Sequence, residues 1–311
     1  RYLRLPVTER LDNQGRVPVP LDETSLEAAL PVLDEHGVES VAIGYLHAFV
    51  NPEHEQRTAE WLRQRRPQLS ITLASEVCPE IREYERLSTA CANAYVRPLM
   101  ARYLERLSSE LAELGFNSPF LLMTSGGGLT TLETAAKFPI RLVESGPAGG
   151  AILAQAVARQ ADMKRVLSFD MGGTTAKLAL VDDFTPLTSR SFEVDRVYRF
   201  RKGSGLPVRI PVIEMVEIGA GGGSIAAVDK LGRVQVGPES AGSEPGPAVY
   251  GRGGERPAVT DADVLLGRVV SDTFAGGALA LDVAAAHAAV GDGVGELLGM
   301  EDTDAAFAIS E

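Results

Sequence analysis

Asp170-Met-Gly-Gly-Thr-Thr175 stands between two apolar runs, Val166–Phe169 and Leu178–Val181. Strand, carboxylate, two glycines, two hydroxyls, strand is a pattern suited to a polyphosphate and its metal. Gly172 and Gly173 let the backbone come close to phosphate oxygens and aim N–H groups at them. The hydroxyls of Thr174 and Thr175 add donors, and Asp170 at the strand end can hold Mg2+ or its waters through oxygen. A plain hairpin turn between two buried strands has the same residue types and no ligand.

Other segments compete for the chemistry. Gly219-Ala-Gly221-Gly222-Gly223-Ser224 resembles a dinucleotide-binding turn, but serine stands in the last glycine position and strand–turn–strand follows where a helix is needed. A ligand turn at Gly221, Gly222 and Gly223 and a simple sharp bend both remain open. Gly146-Pro-Ala-Gly149 opens a helix whose free N–H groups can receive an anion, although small residues there also permit close helix packing. The run Arg196, Arg199, Arg201 and Lys202 reads as a solvated basic loop. Asp261 and Asp263 flank one residue, and Asp261 before an apolar run is expected to be a helix N-cap. His36, His47, His54 and His287 lack ligand spacing, and no serine sits in a nucleophile elbow.

The elements that must position these groups alternate in the α/β manner. Leu26–His36 has helical spacing up to Gly37, and Val38–Phe49 is a buried strand. A helix from Pro52 ends before Pro67, and Leu69–Ala74 is a strand. A long helical pattern runs from about Ile81 to Gly115, with Pro98 expected to bend or break it. Phe120–Met123 and Ile140–Val143 are short strands, and Ala148–Ala161 is helical. After the Asp170 hairpin come a strand over Val212–Ile218 and a hairpin with Asp229–Gly232 at its turn. A folded Gly/Pro loop over Gly237–Pro257 follows, then helices near Asp261–Val269 and Val283–Leu298.

Composition sets the outer limits. With 311 residues, 45% hydrophobic and 23% charged, the chain is an ordinary globular protein with room for one large core or two modest ones. A net charge of −12 argues against nucleic acid or an anionic membrane as partner, while local backbone donors and a metal still allow ATP. No apolar run spans a bilayer. Cys78 and Cys91 form neither a disulfide framework nor a zinc site, and the cytoplasm is the expected compartment. The opening Arg1-Tyr-Leu-Arg has no initiator methionine or signal peptide and reads as an internal stretch.

The motifs occur in an ordered set. Ile81-Arg-Glu-Tyr-Glu-Arg86 with Thr89 and Asn93-Ala-Tyr95 comes first, then Thr124-Ser-Gly-Gly-Gly128, Ser145-Gly-Pro-Ala-Gly-Gly150 and Asp170-Met-Gly-Gly-Thr174. Glu217-Ile-Gly-Ala-Gly-Gly-Gly-Ser-Ile-Ala226, Val236-Gly-Pro-Glu-Ser-Ala-Gly242, Tyr250-Gly-Arg-Gly-Gly254 and Val259-Thr-Asp-Ala-Asp263 follow. Together they resemble the hydantoinase/oxoprolinase family, hydantoinase A type, over essentially the whole chain. The resemblance implies an α/β, actin-like (ribonuclease H-like) ATPase with two lobes. It implies ATP-dependent opening of a cyclic amide such as a hydantoin or 5-oxoproline by phosphorylating the amide oxygen. Relatives also serve as subunits of acetone- or acetophenone-type carboxylases, and a non-catalytic structural subunit is a further alternative.

On this resemblance, Asp170 is the catalytic group and Mg2+ ligand. Gly172, Gly173, Thr174, Thr175 and Lys177, with Gly146, Gly149 and Gly221–Gly223, are the nucleotide-contacting set. Lys177 replaces an aspartate found in many relatives, leaving phosphate contact and a plain strand position both open for it. Residues 1–74 correspond to the end of an N-terminal domain, and 75–311 to a core stopping short of its C-terminus. The family's first phosphate hairpin and its adenosine turn are expected outside these residues, so 1–311 alone should bind nucleotide weakly or not at all. A hydantoinase B-type subunit is the implied partner.

Overall fold

The computed structural model describes residues 3–198, 201 and 203–311; Arg199 and Lys202 of the basic run lie outside them. Helices and strands mix throughout, and contacts divide the chain into two units, residues 1–157 with 185–214, and 158–184 with 215–311. Among the described residues no helix is long and apolar enough to cross a membrane.

In the first unit, β1 (Ser40–Ile43) and β2 (Ser70–Leu73) pair in parallel, Ser40 opposite Ser70, with α1 (Glu53–Arg65) between them in sequence. Glu53 and Glu55 in the first turn of α1 and Arg63 and Arg65 in its last suit the helix dipole. The strand expected from Val38 to Phe49 is only four residues long. The expected helix at Leu26–His36 is two pieces, Glu23–Glu27 and Leu30–Glu35, the second with Pro31 in its first turn, where proline is tolerated. Leu26, Leu33, Ile43, Trp61, Leu62, Ile71 and Leu73 form the core around them.

The long helix α2 runs unbroken over Glu83–Glu113, with Pro98 inside it. Tertiary contacts hold both sides of the proline. Arg86, Asn93 and Ala94 are buried before it and Leu104 after it. The resemblance motif on α2 works as a clamp. The Arg86 guanidinium donates to the carbonyls of Glu80 (2.8 Å) and Tyr45 (3.0 Å). Thr89 Oγ1 accepts the Arg209 amide at 2.8 Å. Asn93 donates to Thr72 Oγ1 and the Lys137 carbonyl, and accepts the Ile140 amide. Fully buried Glu55 likewise accepts the amides of Tyr45 and Ser75 and the Ser75 hydroxyl.

β3 (Leu121–Met123) and β4 (Leu129–Thr131) form a hairpin across the Ser125–Gly128 turn. The expected strand at Ile140–Val143 is instead a 3-10 turn, Pro139–Leu142: proline leads it and Asn93 takes the Ile140 amide that a strand ladder would use. Helix α3 spans Ser145–Gln160.

In the second unit, β5 (Arg165–Met171), β6 (Ala176–Asp182) and β7 (Met215–Ile218) form an antiparallel sheet in the order β7-β6-β5. The expected strand Val212–Ile218 is broken at Glu214, so Val212–Ile213 pairs with Thr188–Ser189 in the first unit and β7 pairs with β6. β8 (Ser224–Val228) and β9 (Val234–Ser240) pair around Asp229–Gly232, where Asp229 accepts the amides of Leu231 and Arg233. Helices α4 (Val259–Leu265), α5 (Val283–Val290) and α6 (Asp302–Ser310) complete the unit. Ala226, Ala262, Val290, Val294, Ala305, Ala306 and Ile309 are its core.

Candidate functional site

The β5–β6 register places Asp170 opposite Lys177, and β6–β7 places Lys177 opposite Glu217. Directly opposed residues share a sheet face, so an acid, a base and an acid lie in a row across three strands. Lys177 Nζ is 3.8 Å from Glu217 Oε1, with the lysine side chain only 14% exposed. Among the described residues, no hydrogen bond or ion pair engages the Asp170 side chain.

The turn after Asp170 closes with the Gly172 amide donating to the Thr175 carbonyl at 2.9 Å. Among the described residues, the amides of Gly173, Thr174 and Thr175 have no acceptor. Neither glycine has positive φ, so backbone conformation does not require them. An added Cβ at Gly173 would meet nothing within 4 Å, and at Gly172 only the Thr175 carbonyl at 3.7 Å. The turn therefore presents successive unpaired N–H groups beside open space, the arrangement of an anion-binding nest.

Gly221–Gly223 stand directly behind this turn. Gly222 donates to the Gly172 carbonyl at 3.0 Å and Gly223 to the Gly173 carbonyl at 2.7 Å, while the Gly221 amide donates to Ser224 Oγ at 2.9 Å. All three amides are occupied by the protein itself. A Cβ at Gly221 would lie 2.7 Å from backbone atoms of Thr174, and one at Gly223 2.9 Å from the Gly173 carbonyl. The triple glycine thus brings two backbones into contact, as a sharp bend would, and the amides of Gly222 and Gly223 are directed at the hairpin.

Behind the triple glycine is the start of α4. The amide and hydroxyl of Thr260 both donate to the Gly222 carbonyl, at 2.7 and 2.8 Å. The fully buried Asp261 is not the N-cap; Ala258 holds that place. Asp261 reaches back to accept the amides of Ala258 (2.7 Å), Val249 (2.7 Å) and Ala248 (3.3 Å). Burial raises its carboxyl above the ordinary range, against the lowering effect of those three amides. Asp263 points elsewhere, to Arg268 at 3.3 Å. The two aspartates do not converge, and among the described residues no three His, Cys, Asp or Glu side chains form a metal-binding group. Position alone concealed Thr260; its one signal is a hydroxyl two residues into a helix that follows a glycine-rich stretch.

Gly146 and Gly149 open α3 in the first unit. A Cβ at Gly146 would meet nothing within 4 Å, and one at Gly149 the Met123 methyl at 4.0 Å, so the close packing expected there is absent at Gly146 and slight at Gly149. In the basic run, Arg196 pairs with Glu193 at 3.2 Å and Arg201 lies over the Tyr198 ring.

The family model described as hydantoinase/oxoprolinase matches residues 86–311, and the model of that family's N-terminal region matches residues 1–65. An uncharacterized protein of Methanocaldococcus jannaschii is 40% identical over 281 residues, covering 89% of this chain and 41% of that protein. Caprolactamase subunit alpha of Pseudomonas jessenii is 37% identical over 309 residues, covering 99% of this chain and 43% of that subunit. The crystal structure of that ATP-dependent caprolactamase superposes with a TM-score of 0.70 at 36% identity, over 99% of this chain and 43% of the other. Nucleotide-free acetone carboxylase, from a study of ATP-dependent acetone carboxylation, superposes at 0.75 with 27% identity, over 96% of this chain and 41% of the other. The chain thus spans about two-fifths of the length of these relatives.

Proposed function

The chain belongs to the hydantoinase/oxoprolinase family, and from that premise we propose that its Asp170 hairpin is a phosphate-binding turn of an enzyme that opens a cyclic amide with ATP. The observation that carries this reading is the pairing of three amides, Gly173 to Thr175, that have no acceptor among the described residues with a carboxylate that has no partner among them. The donor set fits both expected groups. Neutral amides and hydroxyls suit phosphate oxygens, and Asp170 suits Mg2+ or its waters. When bound, Mg-ATP supplies the phosphoryl group that makes the amide oxygen a leaving group.

The chain's own residues do the rest. Gly173, Thr174 and Thr175 orient phosphate oxygens through fixed N–H groups, which need no reorganisation as charge develops. Asp170 fixes the metal or a water at the strand end. Lys177, beside Asp170 and held near Glu217, sets the local charge balance. Gly221–Gly223 hold the turn from behind. In the first unit, the exposed Gly146 at the α3 N-terminus leaves room for an anion, which supports a phosphate contact for Gly146 and Gly149 in their own right.

An actin-like, two-lobed architecture, with residues 1–74 ending an N-terminal domain and 75–311 forming a core, completes the reading. Its supports are the strand–turn–strand form of the Asp170 segment, the two family models and the superposition on two ATP-dependent enzymes. A partner subunit of hydantoinase B type is included because the caprolactamase relative is itself a subunit. A second reading, the ATPase-like subunit of a ketone carboxylase, draws on the acetone carboxylase superposition. Assay of the complete enzyme with hydantoin, 5-oxoproline or caprolactam, against a ketone with bicarbonate, separates the two. In either case Asp170→Ala should abolish ATP-coupled turnover. Unchanged nucleotide binding and turnover in that variant would refute the site.

A further inference from the structure

We infer that Thr260 is a positioning residue for the phosphate turn, acting through Gly222 with no ligand contact of its own. The inference rests on the nucleotide reading above and deepens it. A single carbonyl, that of Gly222, takes both the Thr260 amide (2.7 Å) and its hydroxyl (2.8 Å). The same residue's amide donates to the Gly172 carbonyl at 3.0 Å. One peptide step therefore links the start of α4 to the base of the turn whose next three amides are free. The fit leaves no slack, since a Cβ at Gly222 would lie 2.6 Å from Thr260 Oγ1.

The helix start that carries Thr260 is itself fixed. Asp261, fully buried, ties α4 to Ala248, Val249 and Ala258 by their amides. The Thr260 hydroxyl is thus anchored by a helix, and the turn hangs from it by two successive hydrogen bonds. Losing the hydroxyl leaves the Thr260 amide bond in place, so the fold is kept while the Gly222 carbonyl, and with it Gly172, gains freedom. Positional tolerance at a phosphate nest is small, because each donor must meet its oxygen within hydrogen-bond distance.

The test uses the complete enzyme with Thr260→Val, Thr260→Ser and Gly222→Ala. Calorimetry measures the Kd for Mg-ATP, kinetics the KM for ATP against kcat, and thermal melting the fold. Thr260→Val should raise Kd and KM for ATP roughly tenfold, the scale of one net hydrogen bond. Thr260→Ser should restore both, and Gly222→Ala should weaken binding as Thr260→Val does. Wild-type affinity in Thr260→Val, or no rescue by Thr260→Ser, overturns the inference while leaving the nucleotide reading intact. Should Thr260→Val fail to fold, Gly222→Ala binding Mg-ATP as wild type overturns it equally. Absence of Mg-ATP binding by the wild-type enzyme overturns both.

Discussion

The amide of Gly222 donates to the carbonyl of Gly172 at 3.0 Å, joining two glycine-rich turns that lie fifty residues apart in sequence. The bond divides the glycines into two kinds. Gly221 and Gly223 are small because backbone lies against them and Gly222 because the Thr260 hydroxyl does; Gly172 and Gly173 are small beside open space.

The division predicts opposite effects of adding a methyl group. Gly221→Ala places a Cβ 2.7 Å from the Thr174 backbone and should cost about 1–3 kcal/mol of stability, as overpacking does. Gly173→Ala meets nothing within 4 Å and should keep wild-type stability while weakening Mg-ATP binding. Urea unfolding and calorimetry distinguish them; equal destabilisation by both would contradict the assignment.

Asn93→Ala removes the side chain that serves Thr72, Lys137 and Ile140 at once. Leaving a buried amide and carbonyl without partners should cost about 2–3 kcal/mol, with nucleotide affinity unchanged. Urea unfolding reads the loss. A change below about 0.5 kcal/mol, the range of an ordinary surface substitution, would show that water or a neighbour replaces the clamp.

The Asp170 hairpin was legible because its information is local: two apolar runs, a carboxylate and a glycine turn in one short window. The role of Gly221–Gly223 was not, because the partner of those glycines is distant in sequence and composition cannot distinguish a ligand turn from a backbone contact. Pro98 does not break its helix, for a related reason. Proline's local penalty is real, but Asn93 and Leu104 are buried on its two sides and hold one helix through it. The apolar run Ile140–Val143 suggests a strand, while Pro139 and the bond to Asn93 Oδ1 decide for a 3-10 turn. The place of Asp261 before an apolar run suggests an N-cap, yet it serves three amides from a position further in.

Asp261 also gives stability a pH dependence. Its carboxyl is raised in the folded state by burial. A raised acid contributes stability that is fully present below its unfolded value, 3.8, and is lost as pH rises through the folded value. The stability difference between wild type and Asp261→Asn should therefore shift against wild type as pH increases from that point. Thermal melts across the acid range measure it, and a shift in the opposite direction would mean that the three amides outweigh burial.

The central claim is that the amides of Gly173, Thr174 and Thr175 receive phosphate. Hydrogen exchange of the complete enzyme, followed by mass spectrometry on the peptide spanning Asp170 to Ala176 with and without Mg-ATP, tests it most directly. Those three amides should become protected when Mg-ATP is added, and Asp170→Ala should diminish the protection. Exchange in that peptide unaltered by Mg-ATP at saturating concentration would contradict it.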